Sequence, residues 1–337
     1  KAAPEFEAEE VIKRVAQVST EKTELQHRDI VPPILVTGTH RSSTTWVGRM
    51  LTANQRYTYV SEPLNILHRP GIMRQPTEQW YTYVCEENEH FYLSPFYETL
   101  RLQYHTMQEI KSLRTLRDVG RMVRDWSSFT TGRANGNQVL LKDPFSVFSA
   151  KWFAERFGCK VVIVVRHPAA FVSSLKRLNW PFEFEDLLAQ PYLMRDWLEP
   201  FREDIEAAHA AEGDLIFQGS VLWRMIYSVV SEYRQRFPEF QIVRHEDLSL
   251  DPLNQFKAVY NALGVPFTKK VAKTILKSTN PGNPTELPLE SIHAVQLNSL
   301  ANIKNWQKRL SAEEIERVYS LTSDIADRYY SAEDWKP

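Results

Sequence analysis

Five consecutive β-branched residues, Val161-Val162-Ile163-Val164-Val165, constrain this 337-residue chain more than any other feature. Such residues suit a pleated surface, and an unbroken run lacks the polar alternation of a strand with one wet face. The run therefore predicts an interior strand of a parallel sheet, covered on both sides. It stops at Arg166-His167-Pro168, and Pro168 suits the first position of a following helix, where a missing N–H costs nothing. Ile34 to Gly38, Tyr57 to Val60, Val139 to Leu141 and Phe240 to Arg244 read as four more strands. Helical spacing resumes between them, as from Trp46 to Leu51 and from Ser146 to Phe157. Strands alternating with helices predict an α/β fold, a parallel sheet of about five strands flanked by helices on both faces.

Residues 1–30 read as a separate N-terminal helical extension, with Val11, Ile12, Val15 and Val18 at roughly helical spacing before Pro32 and Pro33 end it. Residues 31–337 read as one domain. Within it, 63–95 is irregular and rich in proline and aromatics, 96–131 reads as one or two helices, and 181–236 is mostly helical. Hydrophobic residues make up 43% of the chain, enough for a large core without staples. Cys85 and Cys159 form neither a disulfide framework nor a metal-binding spacing, and Cys159 reads as a small buried side chain. With 41 basic against 42 acidic residues, the chain lacks the basic excess of a general nucleic-acid binder. Any polyanion must be held by a local cluster of cations. No transmembrane span and no signal peptide is read, so a cytoplasmic setting is the simplest expectation.

In parallel sheets of this kind, ligands bind beyond the carboxyl ends of the strands. The segments that matter are then 38–45, 61–65, 142–144, 166–168 and 245–247. The first is Gly38-Thr39-His40-Arg41-Ser42-Ser43-Thr44-Thr45-Trp46, joining a strand to a helix. Small and hydroxyl residues let backbone N–H groups approach a phosphate, the helix N-terminus adds partial positive charge, Ser42, Thr44 and Thr45 add donors, and Arg41 supplies a cation. The loop is P-loop-like but departs from the Walker pattern, with Ser43 at the second glycine and Thr44 at the lysine. The strand at 161–165 ends in Arg166, not in the Asp that would hold Mg²⁺ in an NTPase. No metal is expected.

His40-Arg41-Ser42-Ser43-Thr44-Thr45-Trp46 resembles the 5′-phosphosulfate loop of sulfotransferases, [KR]-S-G-T-T-x with Trp often last. A second signature of that family, an Arg at the end of a buried strand with a Ser eight positions later, is matched by Arg166 and Ser174. His245-Glu246-Asp247-Leu248 with Asp251-Pro252 is similar to a segment near the adenine, and Asn302 to Ser311 to a late basic-Trp segment that closes over the nucleotide. The resemblance spans roughly residues 31–311 and is nearer to bacterial small-molecule and tyrosylprotein-type enzymes than to mammalian cytosolic ones. It implies 3′-phosphoadenosine 5′-phosphosulfate (PAPS) as donor and PAP as product. It also implies that Arg41, Ser42, Ser43, Thr44, Thr45 and Trp46 hold the 5′ end, that Arg166 and Ser174 hold the 3′-phosphate, and that His245 and Lys304 lie near the nucleotide. Ser43 stands where the family has glycine, so a positive φ there would be strained.

Sulfuryl transfer needs an in-line acceptor, a cation at the leaving phosphate and a proton acceptor. Arg41 is the expected cation, and Lys142 could reach the sulfuryl oxygens. The catalytic histidine of the cytosolic enzymes is absent from Leu141-Lys142-Asp143-Pro144. Glu62, 21 residues beyond Arg41, matches the glutamate base of the tyrosylprotein-type enzymes. Shielding by Pro63 and nearby aromatics would raise its pKa. His40, His68, His167 and His245 are rival bases, with Asp143 in reserve. Helical stretches around 63–130 and 180–236 are expected to shape a small-molecule acceptor site, where Trp180, Phe182, Phe184, Tyr192 and Trp197 either line a pocket or pack helices. The resemblance allows sugars, lipids, phenols, polyketide intermediates and peptides as acceptors. Two other readings stay open: another nucleotide-dependent transferase such as a small-molecule kinase, or a non-catalytic nucleotide- or sugar-binding module.

Overall fold

The structure is a computed structural model and describes residues 32–67, 69–286, 296 and 298–336. The N-terminal helix read over 1–30 lies outside the described residues, as does His68. Pro33–Pro337 form one compact unit. Five parallel strands, β1 (Ile34–Gly38), β2 (Tyr57–Ser61), β3 (Gln138–Lys142), β4 (Lys160–Val165) and β5 (Gln241–Arg244), make a single sheet in the order β2-β3-β1-β4-β5. All five strands expected from the sequence are present, each within two residues of its expected ends.

The main helices are α1 (Thr44–Leu51), α2 (Leu93–Leu100), α3 (Thr106–Ser112), α4 (Leu116–Ala134), α5 (Ala150–Phe157), α6 (Pro168–Leu178), α7 (Arg202–Ala210), α8 (Leu215–Arg236), α9 (His245–Leu250), α10 (Pro252–Ala262), α11 (Lys269–Ser278) and α12 (Ala312–Ala326). The stretch expected to hold one or two helices holds three. The chain turns extended at Leu113, and a capping box between Thr115 and Asp118 starts the helix afresh. After β3 the helix begins later than its apolar spacing suggests. Asp143 caps a short turn over Pro144–Ser146 first, and α5 follows.

Both faces of the sheet are buried, which is why the interior strands read as continuous apolar runs. Leu35, Leu141, Val161 and Ile163 share one face, and Val36, Leu140, Val162 and Val164 share the other. All are at most 1% exposed. On the second face α1 packs closely because Gly48 brings its backbone near Leu140 and the Lys142 side chain. β1 has β3 on one side and β4 on the other, so the chain winds outward in both directions from it. The carboxyl end of β1 is therefore the switch point where a crevice opens.

Candidate active site

Gly38 ends β1 with φ 148°, and a Cβ there would stand 2.5 Å from the Val164 carbonyl oxygen of β4. Only glycine lets the chain leave the sheet this close to its neighbour. The loop then folds back on itself. The Ser42 hydroxyl donates to the Thr39 carbonyl at 2.6 Å, and the Thr39 hydroxyl meets Tyr227 of α8 at 3.1 Å. Arg41 (φ 65°) and Ser43 (φ 75°) both adopt the left-handed region. The strain foreseen at Ser43 is present, at a cost of ~1–2 kcal/mol for a residue with a Cβ. Ser43 sits at the N-cap of α1 without a side-chain capping bond. The sequence suggested ligand donors at Ser42, Thr44 and Thr45. The buried Ser42 hydroxyl is instead used within the loop, Thr44 is buried in the first turn of α1, and Thr45 is half-buried.

Arg41, Arg166 and Ser174 come together although they span 133 positions. Arg41 Nε donates to Ser174 Oγ at 3.2 Å, and Arg166 Nη1 donates to the Arg41 carbonyl at 2.6 Å. Arg166 is only 7% exposed, held from β4 while Trp223 of α8 donates to its carbonyl. Burial pulls the Arg41 guanidinium down to about 10, and Arg166, Arg177 and Arg309 push it the same way. Four guanidinium groups thus converge on the crevice beside β1 and β4. Glu286 pairs with Arg309 and approaches Arg177 at 4.0 Å, and the buried Glu246 acts on the charge of Arg166. Arg177 and Arg309 were missed in the sequence. Arg177 did carry a signal, standing three residues beyond Ser174 on the same helical face.

On the other side of β1 a second group assembles. The register aligns Val36 with Lys142 and Lys142 with Ser61, and the Glu62 N–H donates to the Lys142 carbonyl at 2.8 Å. Glu62 follows β2 in the left-handed region (φ 52°). Its Oε1 pairs with Lys142 Nζ and its Oε2 accepts from Asn65 Nδ2 at 2.7 Å. Its side chain stays 22% exposed, whereas that of Lys142 is 2% exposed. Asn65 was not foreseen. The local turn is fixed from below by Asp143, whose two oxygens accept from the Leu64 and Phe145 N–H groups at 2.7 and 2.9 Å. Burial pushes the Asp143 carboxyl up to about 7.

The described candidate histidines, His40, His167 and His245, are buried. His40 bonds Tyr81 through Nδ1 at 2.9 Å among Phe145, Phe171, Trp180 and Phe182, and burial lowers it to about 3. Phe182 and Phe184 serve packing there. His167 caps α6 by accepting from the Ala169 N–H, stacks on Trp306 at 5.1 Å, and is also lowered to about 3 by burial. His245 meets Trp46 edge-on at 5.7 Å, and neither ring nitrogen has a hydrogen-bond partner among the described residues. Trp46 itself donates to Ser278 at 3.1 Å. Lys304 is not brought to the loop. Its Nζ donates to the Lys336 carbonyl, and it lines a cleft of about 230 Å³ with His167, Glu246 and Trp306. Among the described residues, no group of three or more His, Cys, Asp or Glu is placed to hold a metal ion.

Residues 32–269 match the sulfotransferase family. The chain belongs to that family. Its fold is a five-stranded parallel α/β sheet. It is similar to carbohydrate sulfotransferase 1 of Danio rerio, 28% identical over 201 residues, which cover 57% of this chain and 40% of that protein. The human carbohydrate sulfotransferase 1 is 36% identical over 73 residues, covering 22% of this chain and 17% of that one. The chain thus spans less than half the length of these relatives. The sulfotransferase domain from the curacin biosynthetic pathway superposes with a TM-score of 0.44 at 17% identity, over 88% of this chain and 99% of that one.

Proposed function

We propose that this sulfotransferase moves a sulfuryl group from PAPS to a hydroxyl or amine of a small-molecule acceptor, a saccharide being the class favoured by its named relatives. The observation that carries the reading is the Glu62–Lys142 pair, set at the ends of β2 and β3, with β3 next to the strand whose loop bears Arg41. A proton acceptor and two cations then flank one crevice, which is the minimum set for this transfer.

In the proposed reaction the acceptor oxygen attacks sulfur and forms the new S–O bond. Its proton passes to the Glu62 carboxylate, which Asn65 and Lys142 hold in place. The S–O bond to the donor's 5′-phosphate breaks, and the charge left on that phosphate faces Arg41 and the loop N–H groups. Lys142 exchanges its contact with Glu62 for the sulfuryl oxygens as the transfer proceeds. Arg166 and Ser174 hold the 3′-phosphate, and His245 beside Trp46 borders the nucleotide. The residues fit such a donor: guanidinium groups that crowd one another gain by taking up a polyanion.

The test incubates the full chain with labelled PAPS and a panel of saccharides and phenols in EDTA, with mass spectrometry of the products. A new sulfate ester is the expected result. Transfer from ATP with a strict Mg²⁺ requirement, or nucleotide binding without any turnover, would overturn the reading.

A further inference from the structure

The helix α4 has two faces of different character. Its inner side carries the buried Phe129 and packs Gly132 against Thr58 of β2 so closely that a Cβ would overlap the threonine hydroxyl. Along its outer side Leu116, Val119, Val123 and Trp126 follow at spacings of three, four and three residues, one continuous stripe. They are 91%, 39%, 54% and 48% exposed. Met107 and Ile110 of the preceding α3 are exposed as well. Six of the thirteen large exposed apolar side chains among the described residues thus fall within positions 107–126. Singly exposed apolar groups need no explanation, but a concentration of this kind does.

The charges around the stripe have one sign. Lys111, Arg114, Arg117, Arg121 and Arg124 are all exposed. The acidic residues of the stretch are turned elsewhere: Glu109 and Asp125 pair with Arg69 beneath the helices, Asp125 also taking Arg124 at 2.9 Å. Asp118 closes the capping box and reaches Arg121 at 3.2 Å. Lys111, Arg114 and Arg117 have no ion-pair partner among the described residues.

We propose that the outer face of α3 and α4 docks on the surface of an anionic lipid bilayer. A helix with an apolar stripe, a tryptophan on it and lysine and arginine along its flanks has the composition that lies in a membrane interface. The cations meet lipid phosphates while the apolar side chains enter the acyl boundary. A second copy of the chain is disfavoured, because a self-complementary contact would bring Lys111, Arg114 and Arg117 of the two copies, which lack ion-pair partners among the described residues, onto one interface. No described helix is long and apolar enough to cross a membrane, so attachment through this face would be peripheral.

The experiment is co-sedimentation of the full chain with vesicles of phosphatidylcholine alone or with one third phosphatidylglycerol. Binding at least tenfold tighter to the anionic vesicles, weakening as salt is raised, is expected. Leu116→Glu with Val123→Glu should cut that binding at least tenfold while the melting temperature and PAP binding stay unchanged. Arg114→Glu with Arg117→Glu should cut it too, without touching the apolar stripe. Failure to bind anionic vesicles, or equal binding to both kinds, overturns the proposal. So does a concentration-dependent dimer in sedimentation velocity that Val123→Glu dissociates, which would give this face to a second copy.

Discussion

The two sides of β1 solve opposite electrostatic problems. Toward β4, four guanidinium groups crowd one crevice, and Arg41 is drawn down to about 10, first by burial and then by the charges of Arg166, Arg177 and Arg309. Toward β2, a cation and an anion already satisfy each other in the Lys142–Glu62 pair. On the proposed function, the first side would gain when an anion arrives, while the second would have to be opened before it acts. The donor would be bound by relief of burial and repulsion, and the base held in place until an acceptor competes for it.

The largest effect is expected at Glu62. On the proposed function, Glu62→Gln should lower kcat by about 10²–10⁴-fold, the usual worth of a general base, while PAP affinity measured by calorimetry is retained. Near-normal turnover would move the role to Asp143, since His40 is buried and neutral. Next comes Arg166→Ala. Losing a charged hydrogen bond costs about 1.5–3 kcal/mol, so PAP should bind at least tenfold more weakly. Adenosine 5′-phosphosulfate, which lacks the 3′-phosphate, should be affected much less. Equal losses for the two ligands would remove the 3′ assignment.

Acid sensitivity sharpens the contrast from a different direction. His40, His167 and His245 are each lowered by burial to about 3, against 6.5 when exposed. A depressed value means the unfolded chain takes up the proton first. Their contribution is complete above pH 6.5 and is lost as pH falls toward 3, at ~1.4 kcal/mol per pH unit for each group. Asp143 works the other way: its raised value makes its contribution full below about pH 4 and lost as pH rises through 7. Melting temperature should therefore fall below pH 6, and His245→Phe should flatten that slope by removing about a third of the histidine contribution. The smallest effect is expected at Ser43. Ser43→Gly removes a left-handed residue bearing a Cβ and should stabilise the chain by ~1 kcal/mol, seen as a melting temperature about 2 °C higher.

The sheet was legible because parallel interior strands must be apolar throughout, and Val161–Val165 can be read no other way. The turn from β1 to α1 was legible because its spacing is local. Strand order was not, since nothing in Tyr57–Val60 says that β3 will separate it from β1. Asn65, Arg177 and Arg309 escaped for the same reason. Their importance lies in which strand end they face, and that is decided by the crossovers. Of the two breaks within residues 93–134, the one between α3 and α4 rests on a single capping box, Thr115 with Asp118, while the other falls between Leu100 and Thr106.

The 2.6 Å bond from Arg166 to the Arg41 carbonyl has a consequence for fidelity. The side chain proposed to read one end of the donor also pins the backbone of the residue proposed to stabilise the other. A nucleotide that fails to engage Arg166 would therefore do more than bind weakly. It would leave Arg41 less firmly placed at the moment of transfer. Discrimination would then be exercised twice on the same molecule, once at entry and once at bond breaking, and a donor analogue would be rejected in its rate as well as in its affinity.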